Sequence, residues 1–112
     1  MRILFVDDNE LVRRSLARVL RRGGHEVIAC ASPEEALAEL DRGASFELVL
    51  TDFDLGPVTS DALLVEIRHR LPAARVMLLT AAPQRMIPKN IACISKPIAA
   101  AELLRMILPD AA

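Results

Sequence analysis

Short apolar runs that stop abruptly at polar side chains recur along this chain, and between them the apolar spacing switches from strand-like to helical. Ile3 to Val6 ends at Asp7-Asp8, Leu48 to Thr51 ends at Asp52, Val76 to Leu79 ends at Thr80, and Ile91 to Ile94 stops just before Lys96-Pro97. Val27 to Cys30 is a fifth run. Runs this short, rich in Val, Ile and Leu and without strict polar alternation, suit parallel strands covered on both faces. Four stripes with helical spacing separate or follow them: Val12, Leu16, Val19 and Leu20; Ala36, Leu37 and Leu40; Leu63, Leu64, Ile67 and Leu71; Leu103, Leu104, Ile107 and Leu108. Strand and helix in alternation argue for an α/β fold with a doubly wound parallel sheet. Its carboxyl edge, where such sheets place their ligand sites, would gather the acids, the threonine and the lysine.

Punctuation supports the division. Asn9 can cap the first helix and Gly23-Gly24 can end it, Ser32-Pro33-Glu34-Glu35 opens the second, and Pro72 stops the third. One interval is irregular. Fifteen residues lie between Thr80 and Lys96, and they include Pro83 and Pro88. Pro88 removes an amide donor and biases Ile87 away from helical geometry, so the fourth crossover helix is expected to be shortened or missing.

With 112 residues, residues 1–112 are expected to form one domain. Hydrophobic residues make up 53% of the chain and charged residues 26%, with a net charge of −1, which excludes a disordered chain and speaks against nucleic-acid binding. No apolar stretch reaches the length of a membrane span, and Met1-Arg2 leads directly into a strand, so the chain reads as cytoplasmic. Cys30 and Cys93 lie in apolar runs and read as buried free thiols. Met77, Met86 and Met106 read as core filling.

If Asp7, Asp8 and Asp52 meet at one edge, their mutual repulsion calls for a shared cation. An all-oxygen donor set with no histidine or cysteine suits Mg²⁺. His25 and His69 lie far from the strand ends in sequence. Lys96 offers a fixed positive charge and Thr80 a hydroxyl donor for phosphoryl oxygens, which are the parts that transfer to a carboxylate needs. Singly, each has a plainer reading: Asp7-Asp8-Asn9 as a capped turn, Asp52 and Asp54 as loop acids before Gly56-Pro57, Lys96 as a surface lysine. Arg14, Arg18 and Arg21, flanked by Arg13 and Arg22, lie opposite the first apolar stripe and read first as a solvated helix face, ahead of a partner-docking patch.

Taken in order, Asp7-Asp8, Asp52, Thr80 and Lys96-Pro97 resemble the receiver domain of two-component response regulators (CheY-like), over essentially the whole chain. The resemblance implies a flavodoxin-like five-stranded sheet of order 2-1-3-4-5. It implies that Asp52 accepts a phosphoryl group from a histidine kinase or histidine phosphotransfer protein. Asp7, Asp8, Asp52 and the backbone carbonyl of Asp54 would hold Mg²⁺, with Thr80, Ala81 and Lys96 at the phosphoryl-binding and switch positions. The Lys96-Pro97 peptide is expected to be cis, and in this family the first helix helps to dock the phosphotransfer partner, so that its arginines would select an acidic one.

Two departures stand out. Cys93 occupies the position, three residues before the lysine, where the family carries Tyr or Phe, and the chain has no Tyr or Trp. The helix that normally precedes the lysine strand has little sequence to form from. Both departures imply intact phosphorylation chemistry with an atypical output face. Two alternatives remain: an inert pseudo-receiver that signals by contact, and a phosphatase resembling the haloacid dehalogenases, whose nucleophile motif Asp52-Phe53-Asp54 echoes. The second fits poorly, since that family places its nucleophile after the first strand of a larger domain and leaves Asp7-Asp8 without a role.

Overall fold

The computed structural model describes residues 1–52, 57–81 and 91–108. Five strands form one parallel sheet: β1 (Arg2–Val6), β2 (Glu26–Cys30), β3 (Leu48–Asp52), β4 (Arg75–Thr80) and β5 (Ala92–Ser95). Their order is β2-β1-β3-β4-β5, all neighbours parallel. Among the described residues four helices accompany them: α1 (Glu10–Arg22), α2 (Pro33–Asp41), α3 (Pro57–Arg70) and α4 (Ala100–Met106). The expected reduction of the β4–β5 crossover falls on residues 82–90, outside the described residues, as does Met86.

Side-chain alternation along the strands divides the interior in two. Ile3, Phe5, Leu48, Leu50, Met77, Leu79 and Ile94 join Ala17 and Leu20 of α1, Leu103 of α4 and Ile107 just after it in one cluster. Leu4, Val6, Cys30 and Val49 join Ala36 and Leu40 of α2 and Leu63 and Ile67 of α3 in the other. The sheet is therefore buried on both sides, and this is why its strands show no polar alternation. Every side chain of β3 is buried, as are those of β1 beyond Arg2.

Local chemistry sets the helix ends. Asn9 Oδ1 accepts the Val12 amide at 3.1 Å, giving α1 its cap, and Ser32 Oγ accepts the Glu35 amide at 3.2 Å ahead of Pro33 in the first turn of α2. At the far end of α1 the His25 amide donates to the Leu20 carbonyl and the Gly24 amide to the Arg21 carbonyl, with Gly24 at φ 91°. This is a Schellman closure, and its left-handed residue is the one for which glycine is suited. Three expectations need adjusting. Ile91 precedes β5 rather than starting it, Leu108 is exposed because α4 has already reached its cap at Ile107, and Cys93 is only partly buried. Among the described residues, no helix is long and apolar enough to cross a membrane.

Candidate functional site

Register and alternation together explain why three charged side chains converge. Val6 lies opposite Thr51, so Asp7 and Asp52 leave neighbouring strands at the same level. Asp7 continues the Ile3-Phe5 series, Asp52 the Leu48-Leu50 series and Lys96 the series of Ile94, all on the α1/α4 side of the sheet. The Lys96 amide donates to the Thr80 carbonyl at 2.9 Å, which extends the β4–β5 ladder one step and fixes where the lysine departs. Its ammonium reaches 3.2 Å from Asp52 Oδ1 and 3.3 Å from Asp7 Oδ2. Asp7 is fully buried, Asp52 is 2% exposed, and the lysine side chain is 19% exposed.

Asp7 is held from several directions. Its Oδ1 accepts the Asn9 amide at 2.9 Å, while its backbone carbonyl accepts from the Arg13 guanidinium at 3.0 Å. In the sequence Asn9 reads only as a cap and Arg13 as part of a solvated face. The two-residue Asp7-to-Asn9 spacing of an Asx turn was the available signal for the first contact. Nothing local in the sequence marks the second, which depends on the α1 entry angle.

Asp8 is exposed at the rim, and one carboxylate oxygen from each of Asp7, Asp8 and Asp52 lies within 4.8 Å of the others. Three carboxylates, two of them buried, face one ammonium and leave a formal surplus of two negative charges. Such a surplus is costly in a low-dielectric setting unless a cation shares it. A hard divalent ion balances it, and the donors are all oxygen, so these residues fit Mg²⁺. Burial alone would lower the pKa of Lys96, but Asp52 and then Asp7 outweigh it and hold the ammonium above the usual lysine range. The lysine is therefore a permanent positive charge throughout the physiological range.

Thr80 ends β4 and is buried, while Ala81 after it is exposed and lines a surface cavity with Lys96 and Pro97. The Lys96–Pro97 peptide bond is cis. Cys93 stands within β5, partly buried and outside any disulfide. Asp54 lies outside the described residues. Cys30 is also free, and burial pushes its thiol up to about 11, which leaves it protonated and a poor nucleophile at neutral pH. His25 meets the amino terminus, with its Nδ1 3.0 Å from the Met1 nitrogen, so it is outside this cluster.

With this arrangement in place, known proteins give a consistent comparison. The sequence model of the response regulator receiver domain matches residues 3–108. Over 80 residues, 71% of this chain, the sequence is 40% identical to the response regulator protein FleR of Pseudomonas aeruginosa, and it spans 17% of that protein's length. The receiver domain of the hybrid histidine kinase CckA superposes with a TM-score of 0.81 at 31% identity, covering 96% of this chain and 95% of that one. A CheY-like receiver domain protein from Methanospirillum hungatei also gives a TM-score of 0.81, at 27% identity, covering 95% of this chain and 89% of that one. Strand order, the level at which the acids leave the sheet and the match across nearly the whole chain lead to one assignment: this protein belongs to the response regulator receiver domain family of two-component signal transduction.

Proposed function

We propose that residues 1–112 act as one receiver unit in which Asp52 accepts a phosphoryl group from the phosphohistidine of a histidine kinase or histidine phosphotransfer protein. The observation that carries this reading is the buried Asp52 carboxylate at the end of the central strand, 3.2 Å from the Lys96 ammonium and beside two further acids. A carboxylate oxygen of Asp52 forms the new bond to phosphorus as the phosphorus–nitrogen bond of the donor breaks. The departing imidazole keeps the electron pair and takes its proton from solvent. Positioning and charge stabilisation are what such a loose transition state requires from a protein. Lys96 pairs with one phosphoryl oxygen and the Thr80 hydroxyl donates to another. Asp7, Asp8, Asp52 and the Asp54 carbonyl would hold Mg²⁺, which when bound supplies positive charge to the phosphoryl oxygens and offsets that of the acids. Asp7, locked by Asn9 and Lys96, keeps its carboxylate aimed at that position.

Signal output is the part of this reading that departs from the family. With Cys93 at the position of the usual aromatic residue, movement of Thr80 toward a phosphoryl group displaces no ring, and the output face is atypical. Incubation with phosphoramidate and Mg²⁺ tests the whole reading. Intact-mass spectrometry should show one phosphoryl group per chain, stable to acid, labile to base and absent from Asp52→Asn. Absence of labelling would identify an inert interaction module, and rapid multiple turnover of p-nitrophenyl phosphate would identify a phosphatase.

A further inference from the structure

Of the three acids at the strand ends, Asp7 and Asp52 are buried and Asp8 is exposed, so packing does not fix where the Asp8 carboxylate stands. Its backbone does. A peptide unit is planar and moves as one body, so a hydrogen bond to either of its polar atoms orients the residues on both sides. The Asp7–Asp8 peptide is held by its carbonyl oxygen, which accepts from the Arg13 guanidinium at 3.0 Å. The Asp8–Asn9 peptide is held by its amide, which donates to Asp7 Oδ1 at 2.9 Å. The unit before them is tied through the Asp7 amide to the Cys30 carbonyl at 3.0 Å, and the unit after them through the Asn9 carbonyl to the Arg13 amide at 2.8 Å. Consecutive peptides are thus pinned from Val6 to Glu10, and Arg13 supplies both a main-chain and a side-chain bond.

The side-chain bond is the one that strand pairing, the Asx turn and the first turn of α1 do not provide. The Arg13 guanidinium is half-buried and reaches back six residues. Its partner is a neutral carbonyl rather than a carboxylate, although acids stand at the adjoining strand ends. A charged donor on a carbonyl makes a stronger bond than a neutral one. Without it the Asp7–Asp8 peptide loses the partner of its carbonyl and can swing, carrying the Asp8 side chain with it. A ligand that must be ordered when the ion arrives binds it less tightly than one already in place.

We propose that Arg13 is a positioning residue for divalent-metal binding: its bond to the Asp7 carbonyl sets the peptide plane that carries Asp8, and so presents the Asp8 carboxylate beside those of Asp7 and Asp52. This inference rests on the reading of the three acids as Mg²⁺ ligands. It goes further by making the affinity for a cation depend on a cationic side chain. Charge alone predicts the opposite sign. A guanidinium near an acidic cluster repels Mg²⁺, so an Arg13 that acted only through its charge would weaken binding, and its removal would tighten it.

Isothermal titration calorimetry with Mg²⁺ on the folded chain separates the two. Arg13→Met keeps the aliphatic stem and the helix propensity but removes the donor. It should weaken Mg²⁺ binding about tenfold, the scale on which groups behind metal ligands act. Arg13→Lys, with a charged donor of shorter reach, should recover part of that loss. Arg13→Gln, polar but too short to span six residues, should behave as Arg13→Met does and carries the test if the methionine variant does not fold. In an Asp8→Asn background Arg13→Met should weaken binding by less than about twofold more, because the carboxylate it positions is gone. Unchanged or tighter binding on loss of the guanidinium overturns the inference, and so does an equal loss in the Asp8→Asn background. Failure of the unaltered chain to bind Mg²⁺ removes the metal reading itself, which separates the two failures.

Discussion

Thr51 precedes the proposed acceptor but points to the α2/α3 side of the sheet, where its Oγ1 is buried with no hydrogen-bond partner among the described residues. A buried unsatisfied hydroxyl costs roughly 1 to 3 kcal/mol, so Thr51→Val, which keeps the shape and β-branching, should raise stability by about 1 kcal/mol. Urea denaturation checks this, and phosphoramidate labelling of the variant should be unchanged. Lys96 gives the opposite case. Removing its ammonium in Lys96→Met leaves Asp7 and Asp52 buried without their shared cation, and in the absence of Mg²⁺ the loss should be about 2 to 3 kcal/mol. The sign with pH follows from the raised folded pKa. The stabilisation is fully present below the unfolded value of about 10.4 and is lost as pH rises through the folded one. The stability gap between the unaltered chain and Lys96→Met should therefore be wide at neutral pH and narrow under strongly alkaline conditions.

Among the elements, α1 does two jobs with separate residues: Ala17 and Leu20 seal the core, and the opposite face carries the arginines. Its closure rests on Gly24 at φ 91°, a conformation that a Cβ makes costly even though the space beside Gly24 is open. Gly24→Ala should cost about 1 kcal/mol, read as a lower thermal midpoint with unchanged phosphoramidate labelling. The element level was also the most legible in sequence. Caps at Asn9 and Ser32, the double glycine and the alternating periods each reflect short-range chemistry, and the observed strands and helices follow them. Leu108 and Ile91 were misplaced because period alone does not say where a last turn or first strand residue stops. The exposed arginines were visible as a stripe, but the turning back of Arg13 and Arg21 to carbonyls of β1–α1 and β2 was not, since it depends on how the helix lies over the sheet.

For the molecule as a whole, the meeting of Asp7, Asp52 and Lys96 was foreseeable once the runs were taken as parallel strands, because every second residue along a strand faces the same side. The distances were not foreseeable: they depend on the Val6–Thr51 and Thr80–Ser95 register. Since the three acids share one locus, Mg²⁺ should stabilise the folded state by an amount that grows with the logarithm of its concentration. A thermal melt series should show this shift in the unaltered chain and show it greatly reduced in Asp8→Asn, which removes the rim ligand without disturbing the buried pair.

The Lys96–Asp7 contact joins positions 89 residues apart. During synthesis the acids leave the ribosome early, whereas their compensating ammonium is among the last residues of the sheet to emerge. A nascent chain that has completed β1 and β3 therefore holds two carboxylates with strong reason to remain hydrated, which disfavours early collapse around them. Within the chain, the charge that compensates both buried carboxylates therefore arrives only with the segment that follows the last strand.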